Sequence, residues 1–258
     1  MTAEGGAAGH DGVMAGVLEV RVLHPDDAVA AETGGADRLV VAALGEHRAQ
    51  SAEPAVVSAV ARASSLPVRA LLRLPGDGDH DDTTTGAGLV RMTGLAEAYL
   101  AAGAEGVVAG FVTDQLEVDT ELCLALAERL DCPWTFSRAI DRTLDYRRSW
   151  PRVLALPGVD SVLSAGSALD AGHGHEALLA AAQNPAVADR LLAAGGVATE
   201  HVPWLLRAGV RGVHLGSSVR PGGSWTKAHT DAALVRAWRL LLDDEVARSR
   251  SRPATGTA

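Results

Sequence analysis

A chain of 258 residues is short for two full domains and suits one α/β domain. With 47% hydrophobic and 21% charged residues it can fill a large core, and with only 3% aromatics that core is built from Ala, Val and Leu. A formal net charge of −9 argues against nucleic acid or an anionic membrane as the main partner, while leaving room for a local basic pocket.

Residues 1–16 are rich in Gly and Ala and include Glu4 and Asp11. They lack a basic start and an apolar run, so they read as a loose tail rather than a secretory signal. From residue 17 to residue 246, short apolar runs alternate with longer Ala/Leu segments at helical spacing. The pattern predicts strands over 17–23, 38–42, 68–73, 106–110, 134–138, 161–164, 191–194 and 212–215. It predicts helices over 26–33, 54–64, 89–102, 119–130, 145–155, 175–183 and 199–208, and a final helix over 230–245. Residues 247–258 mix Ser, Arg, Pro, Thr and Gly and read as a second loose tail. No apolar stretch is long enough to span a bilayer.

Eight strand–helix pairs are what a closed TIM (β/α)8 barrel of a single domain needs. In "GGADR", "AAGAEGVV" and "LLRAGVRGVHL" a helix ends in Gly and a strand follows at once, as a short return connection requires. An open doubly wound sheet is the rival, but no G-x-G-x-x-G follows the first strand. The acidic segment 75–88, "PGDGDHDDTTTGAG", reads as a disordered insertion or as a lid over the face where barrel enzymes carry their sites.

Function in such a barrel lives at the carboxyl ends of the strands. Glu19 and Arg21 are two apart on the first strand and so share a face, pointing inward as a compensating pair. Arg73 ends the third strand, Arg138 and Asp141 lie at or beyond the end of the fifth, and the eighth contains His214. Several arginines at one mouth suit a carboxylate or phosphate, since the guanidinium fork grips both oxygens. His214 reads either as a core histidine or as a proton-transfer group alongside Asp141 or Glu19. Gly195 and Gly196 after the seventh strand, and Gly216 and Ser217 after the eighth, would either bind an anion through backbone N–H groups or simply turn the chain.

A dedicated metal site is not expected. His173 and His175 form a lone His-x-His on a Gly-rich loop, and Cys123 and Cys132 read as core thiols. Lys227, the single lysine, lies beyond the eighth strand, so a Schiff-base lysine inside the barrel is not expected. Trp150, Trp204, Trp225 and Trp238 are taken as core residues. Two cysteines leave room for at most one bridge, and a reducing, cytoplasmic setting is the simpler reading.

Five segments, "GGADRLVVAAL", "GAEGVVAGFVTDQLEVD", "TFSRAIDRTLD", "GVDSVLSAGSA" and "GVRGVHLGSS", resemble in order and spacing those of the CutC family of copper homeostasis proteins. The resemblance spans residues 17–220 and implies a cytoplasmic TIM barrel linked by name to copper handling, with a homodimer as the expected assembly. By position, Glu19, Arg73, Arg138, Asp141 and His214 match residues of the family's mouth. Departures from its pattern are Arg21 and Ala42 for cysteines, Val40 for an acid, Ser137 for a histidine and Ala165-Gly166-Ser167 for Ser-Gly-Gly. Losing thiols and an imidazole removes ligands that copper(I) prefers, and the changes at 21 and 40 make the mouth more positive. Three expectations follow: a copper-homeostasis barrel with a degenerate copper site, an enzyme acting on a small anionic or phosphorylated metabolite, or an inactive scaffold.

Overall fold

The protein is described as a computed structural model over residues 16–45, 49–74, 84 and 86–251. Strands β1 (Val17–Val22), β2 (Arg38–Val41), β5 (Val68–Leu71), β6 (Gly106–Ala109), β7 (Trp134–Phe136), β8 (Val159–Ser164), β9 (Leu191–Ala194) and β10 (Gly212–Leu215) form one closed parallel barrel in the order β1-β10-β9-β8-β7-β6-β5-β2. A small antiparallel ribbon, β3 (Ala43–Leu44) with β4 (Ala49–Gln50), sits after β2. The expected TIM barrel is the fold, and the β9 and β10 bounds coincide with those read from the sequence.

Helices α1 (Pro25–Gly34), α2 (Pro54–Ala63), α3 (Gly86–Ala101), α4 (Thr120–Ala127), α5 (Tyr146–Leu154), α6 (Ala171–Ala181), α7 (Pro185–Ala188), α8 (Val202–Arg207) and α9 (Ala232–Ser251) complete the chain. Several start on a side-chain cap: Asp119, Asp145, Asp170 and Asn184 each accept a backbone N–H from the first turn. The glycines that end the first and third predicted helices do so as expected, Gly35 at φ 93° and Gly103 at φ 102°.

Strand alternation divides the core in two. Leu18, Val20, Leu39, Val41 and Val107 point outward against the helices, in the large apolar cluster. Val40, Leu71, Val108, Leu163, Leu192 and Ala194 point inward and fill the barrel. Each such fully buried Val or Leu side chain contributes roughly 1.5–3 kcal/mol relative to exposure.

Some expectations are corrected. The fifth barrel strand ends at Phe136, because the Ser137 hydroxyl accepts the Ala139 N–H at 3.2 Å and opens a 3-10 turn over Arg138–Arg142. The sixth helix begins at Ala171, so His173 and His175 lie on a helix and not on a loop. The last helix runs to Ser251, beyond the predicted tail boundary. Trp150 and Trp238 are core residues, but Trp204 is 56% exposed and Trp225 only half-buried. The proposed insertion at 75–88 falls outside the described residues except for Thr84 and Gly86–Gly88, the last three of which open α3. Among the described residues, no helix is long and apolar enough to cross a membrane.

Candidate functional site

Parallel register sets the interior chemistry. Glu19 on β1 is aligned with Arg38 on β2 and with His214 on β10. One carboxylate oxygen accepts from Arg38 Nε at 2.5 Å, and the other is bonded to His214 Nδ1 at 2.6 Å. Burial alone would raise the Glu19 pKa. The Arg38 charge and the His214 hydrogen bond outweigh it and hold the carboxyl at about 2. An ionised carboxylate can only accept, so His214 Nδ1 carries a proton and donates it to Glu19.

Glu19 therefore points inward as expected, but its partner is not Arg21. Arg21 lies two residues nearer the mouth, lining a cavity of about 170 Å³. It makes no hydrogen bond or ion pair with the described residues, and its Nε is buried without a partner. Its guanidinium stacks on Trp225 at 4.1 Å, and Arg220 stacks on the same ring at 4.7 Å. Burial, together with the charges of Arg73, Arg220 and Arg138, lowers the Arg21 pKa to about 10.

The other predicted residues divide between cavity and support. Arg73, Arg138, His214, Gly195, Gly196, Gly216 and Ser217 line the same cavity as Arg21. Glu19 and Asp141 do not; they stand behind it. Asp141 accepts from Arg138 Nε at 2.7 Å, from the Ser164 hydroxyl at 2.6 Å and from Ala165 N at 2.8 Å. Arg138 also donates through Nη2 to the Ser167 and Leu169 carbonyls at 3.1 and 3.2 Å. Asp141 thus orients Arg138 and has no free edge for substrate.

Two glycines have a packing reason apart from any anion. A Cβ on Gly195 would stand 2.2 Å from Arg138 Nη1, and one on Gly216 would meet the Trp225 ring at 2.7 Å and Arg21 Nη2 at 2.9 Å. Only glycine lets these guanidinium groups lie where they do.

Sequence reasoning missed several interior groups. Arg69 on β5 binds Asp160 on β8 through two bonds of 2.6 and 2.5 Å, and Arg211 Nη1 donates to the Asp160 carbonyl at 3.0 Å. With Arg38 and Ser161, joined at 3.1 Å, they plug the barrel below Glu19. Period-two alternation was the available signal: Arg38 and Arg69 are two before the inward Val40 and Leu71.

The residues present do not suit copper. Among the described residues, no group of three or more His, Cys, Asp or Glu is gathered as a metal site. Both cysteines are free thiols away from the cavity lining, and burial pushes Cys123 up to about 12, well short of the thiolate a soft metal needs. Three positions that depart from the CutC pattern, Arg21, Val40 and Ser137, all line the cavity.

Comparison with known proteins places the chain. The model of the CutC family matches residues 16–219. A family protein CutC of Klebsiella pneumoniae is 30% identical over 77% of this chain and 78% of its own length. The human copper homeostasis protein cutC homolog is 32% identical over 58% of this chain and 54% of its own length. The crystal structure of the copper homeostasis protein CutC of Streptococcus agalactiae superposes with a TM-score of 0.66 at 18% identity, over 78% of this chain and 98% of that one. With the family model matching most of its length and the barrel closed around the same segments, the chain belongs to the CutC family.

Proposed function

We propose that this CutC-family barrel binds a small anionic ligand at its carboxyl mouth, and that it does not hold copper there. The observation that carries the reading is Arg21: a cation facing a partly open cavity, with no anionic partner among the described residues, beside Arg73 and Arg138. A buried charge left unpaired is costly, and an anionic ligand is the partner that would relieve the cost. His214 would supply proton transfer, since it lines the cavity while Glu19 fixes its ring through Nδ1. The family's name ties its members to copper homeostasis, and this chain's part in that would be through the anion and not through the metal. Two unpaired thiols, one deep in the core, suit a reducing compartment such as the cytoplasm. A two-fold homodimer belongs to the same reading, on the frequency of such assemblies, and light scattering on the purified chain tests it.

Thermal unfolding of the full chain against a panel of carboxylated and phosphorylated metabolites tests the anion site. Stabilisation by one of them that is lost in Arg21→Met is the expected result; a panel with no stabilising anion would refute it. Titration with copper(I) under reducing conditions gives no tight stoichiometric binding if the metal reading is right. A sub-micromolar complex of one copper per chain would overturn it.

A further inference from the structure

The cavity pairs an aliphatic cluster with cationic groups. Val40 (β2), Leu71 (β5), Val108 (β6) and Leu163 (β8) belong to one buried aliphatic cluster at the cavity wall, with Arg73, Ser137 and Arg138 from beyond the ends of β5 and β7 lining the cavity beside them. Arg21 (β1), His214 (β10) and the Gly216–Ser218 turn line it as well. The charge of Arg138 is already matched by Asp141. No Asp or Glu among the described residues lines the cavity.

We infer that the ligand is an amphiphilic anion: one carboxylate or phosphate head on a short hydrocarbon body, with no amine and no row of hydroxyls. This rests on the anion-binding reading and adds the ligand's class. The head meets the open fork of Arg21 and the N–H and hydroxyl groups of the turn after β10. The body lies on the four aliphatic side chains. A sugar phosphate would press its hydroxyls onto that surface, losing water with nothing in exchange. An amino acid would bring an ammonium group into a cavity of guanidinium groups with no carboxylate to receive it. A cavity of about 170 Å³, below the size typical of drug-sized ligand sites, favours a body of a few carbons.

The test is calorimetric titration of the full chain with inorganic phosphate, butyl phosphate, glycerol 3-phosphate, valerate and norvaline. Each buried methylene contributes about fourfold in affinity, so butyl phosphate should bind at least about tenfold tighter than inorganic phosphate. Glycerol 3-phosphate should gain nothing over inorganic phosphate, and valerate should bind while norvaline does not. In Val40→Thr, which keeps the shape and adds a hydroxyl, the butyl phosphate advantage should shrink severalfold with inorganic phosphate unchanged. If inorganic phosphate binds but butyl phosphate is no tighter, if glycerol 3-phosphate is preferred, or if norvaline equals valerate, the ligand class is wrong and the anion site stands. If nothing in the series binds, inorganic phosphate included, the anion-binding reading itself fails.

Discussion

Arg21 is where stability and function pull apart. Its guanidinium is desolvated and surrounded by the charges of Arg73, Arg220 and Arg138, and among the described residues stacking on Trp225 is its one compensating contact. Replacing a poorly compensated interior charge by an apolar side chain of similar length is often neutral or stabilising by about 1–4 kcal/mol, and the lost stacking takes back about 1 kcal/mol. Arg21→Met should therefore melt at or slightly above the parent temperature without ligand and lose ligand-induced stabilisation. A variant that unfolds several degrees lower would mean that Arg21 holds the fold. The same residue marks a limit of reading from sequence. Alternation placed Glu19 and Arg21 on one inward face, and that is where they are. It could not pair them correctly, because two residues along a strand is about 7 Å, so the two occupy different layers of the barrel. Glu19 finds its partners sideways, in Arg38 and His214, through a register that only closure of the sheet defines.

Between β10 and α9 the chain makes a strap, residues 216–231, that sets Trp225 against Arg21. Its anchor is Asp27 on the first turn of α1, which accepts from Arg220 Nη2 at 2.5 Å, Thr230 N at 2.7 Å and Leu23 N at 2.9 Å. Arg220 also donates to the Ala228 carbonyl at 2.6 Å, which closes the strap on itself. Burial would raise the Asp27 pKa, but these donors outweigh it and keep it below the usual value. Breaking a buried ion pair by removing one partner costs about 3–5 kcal/mol, because the other charge is left alone. Asp27→Asn should thus lower the melting temperature by about 10 °C and make Trp225 more accessible to acrylamide, with Trp225→Phe identifying its share of the fluorescence. An unchanged melting temperature would show that the strap is held by other contacts. The strap was hidden in the sequence for a physical reason. It has two short 3-10 turns and no period, and Asp27 lies some two hundred positions from the residues it anchors. The strands and long helices, by contrast, announced themselves through period and caps.

At the scale of the whole barrel, its interior carboxylates should make it acid-sensitive in a defined window. Glu19 has a folded pKa of about 2 against 4.5 for the free side chain. Above pH 4.5 it is ionised in both the folded and the unfolded chain, and its stabilisation, on the order of 3 kcal/mol, is fully present. Below 4.5 the unfolded chain takes up the proton first, so the contribution falls steadily and is gone near pH 2. Asp27 and Asp160 are also held below their ordinary values, the second by Arg69 against the pull of burial, and act in the same direction from pH 3.8 downward. Asp141 is pushed up by burial despite Arg138, so it opposes Glu19 above pH 3.8, where the folded chain takes up its proton before the unfolded one. Three groups outweigh one, so urea unfolding should give a stability that is level from about pH 7 to 5 and drops by several kcal/mol toward pH 2. Glu19→Gln separates the interior from the surface. It should be less stable than the parent by about 3 kcal/mol at pH 7, and the gap should close as the pH approaches 2, because the parent by then has protonated the same group. If the two stability curves instead stay parallel across that range, the acid sensitivity lies elsewhere, and Glu19 is not the charge on which the layer of Arg38 and His214 is built.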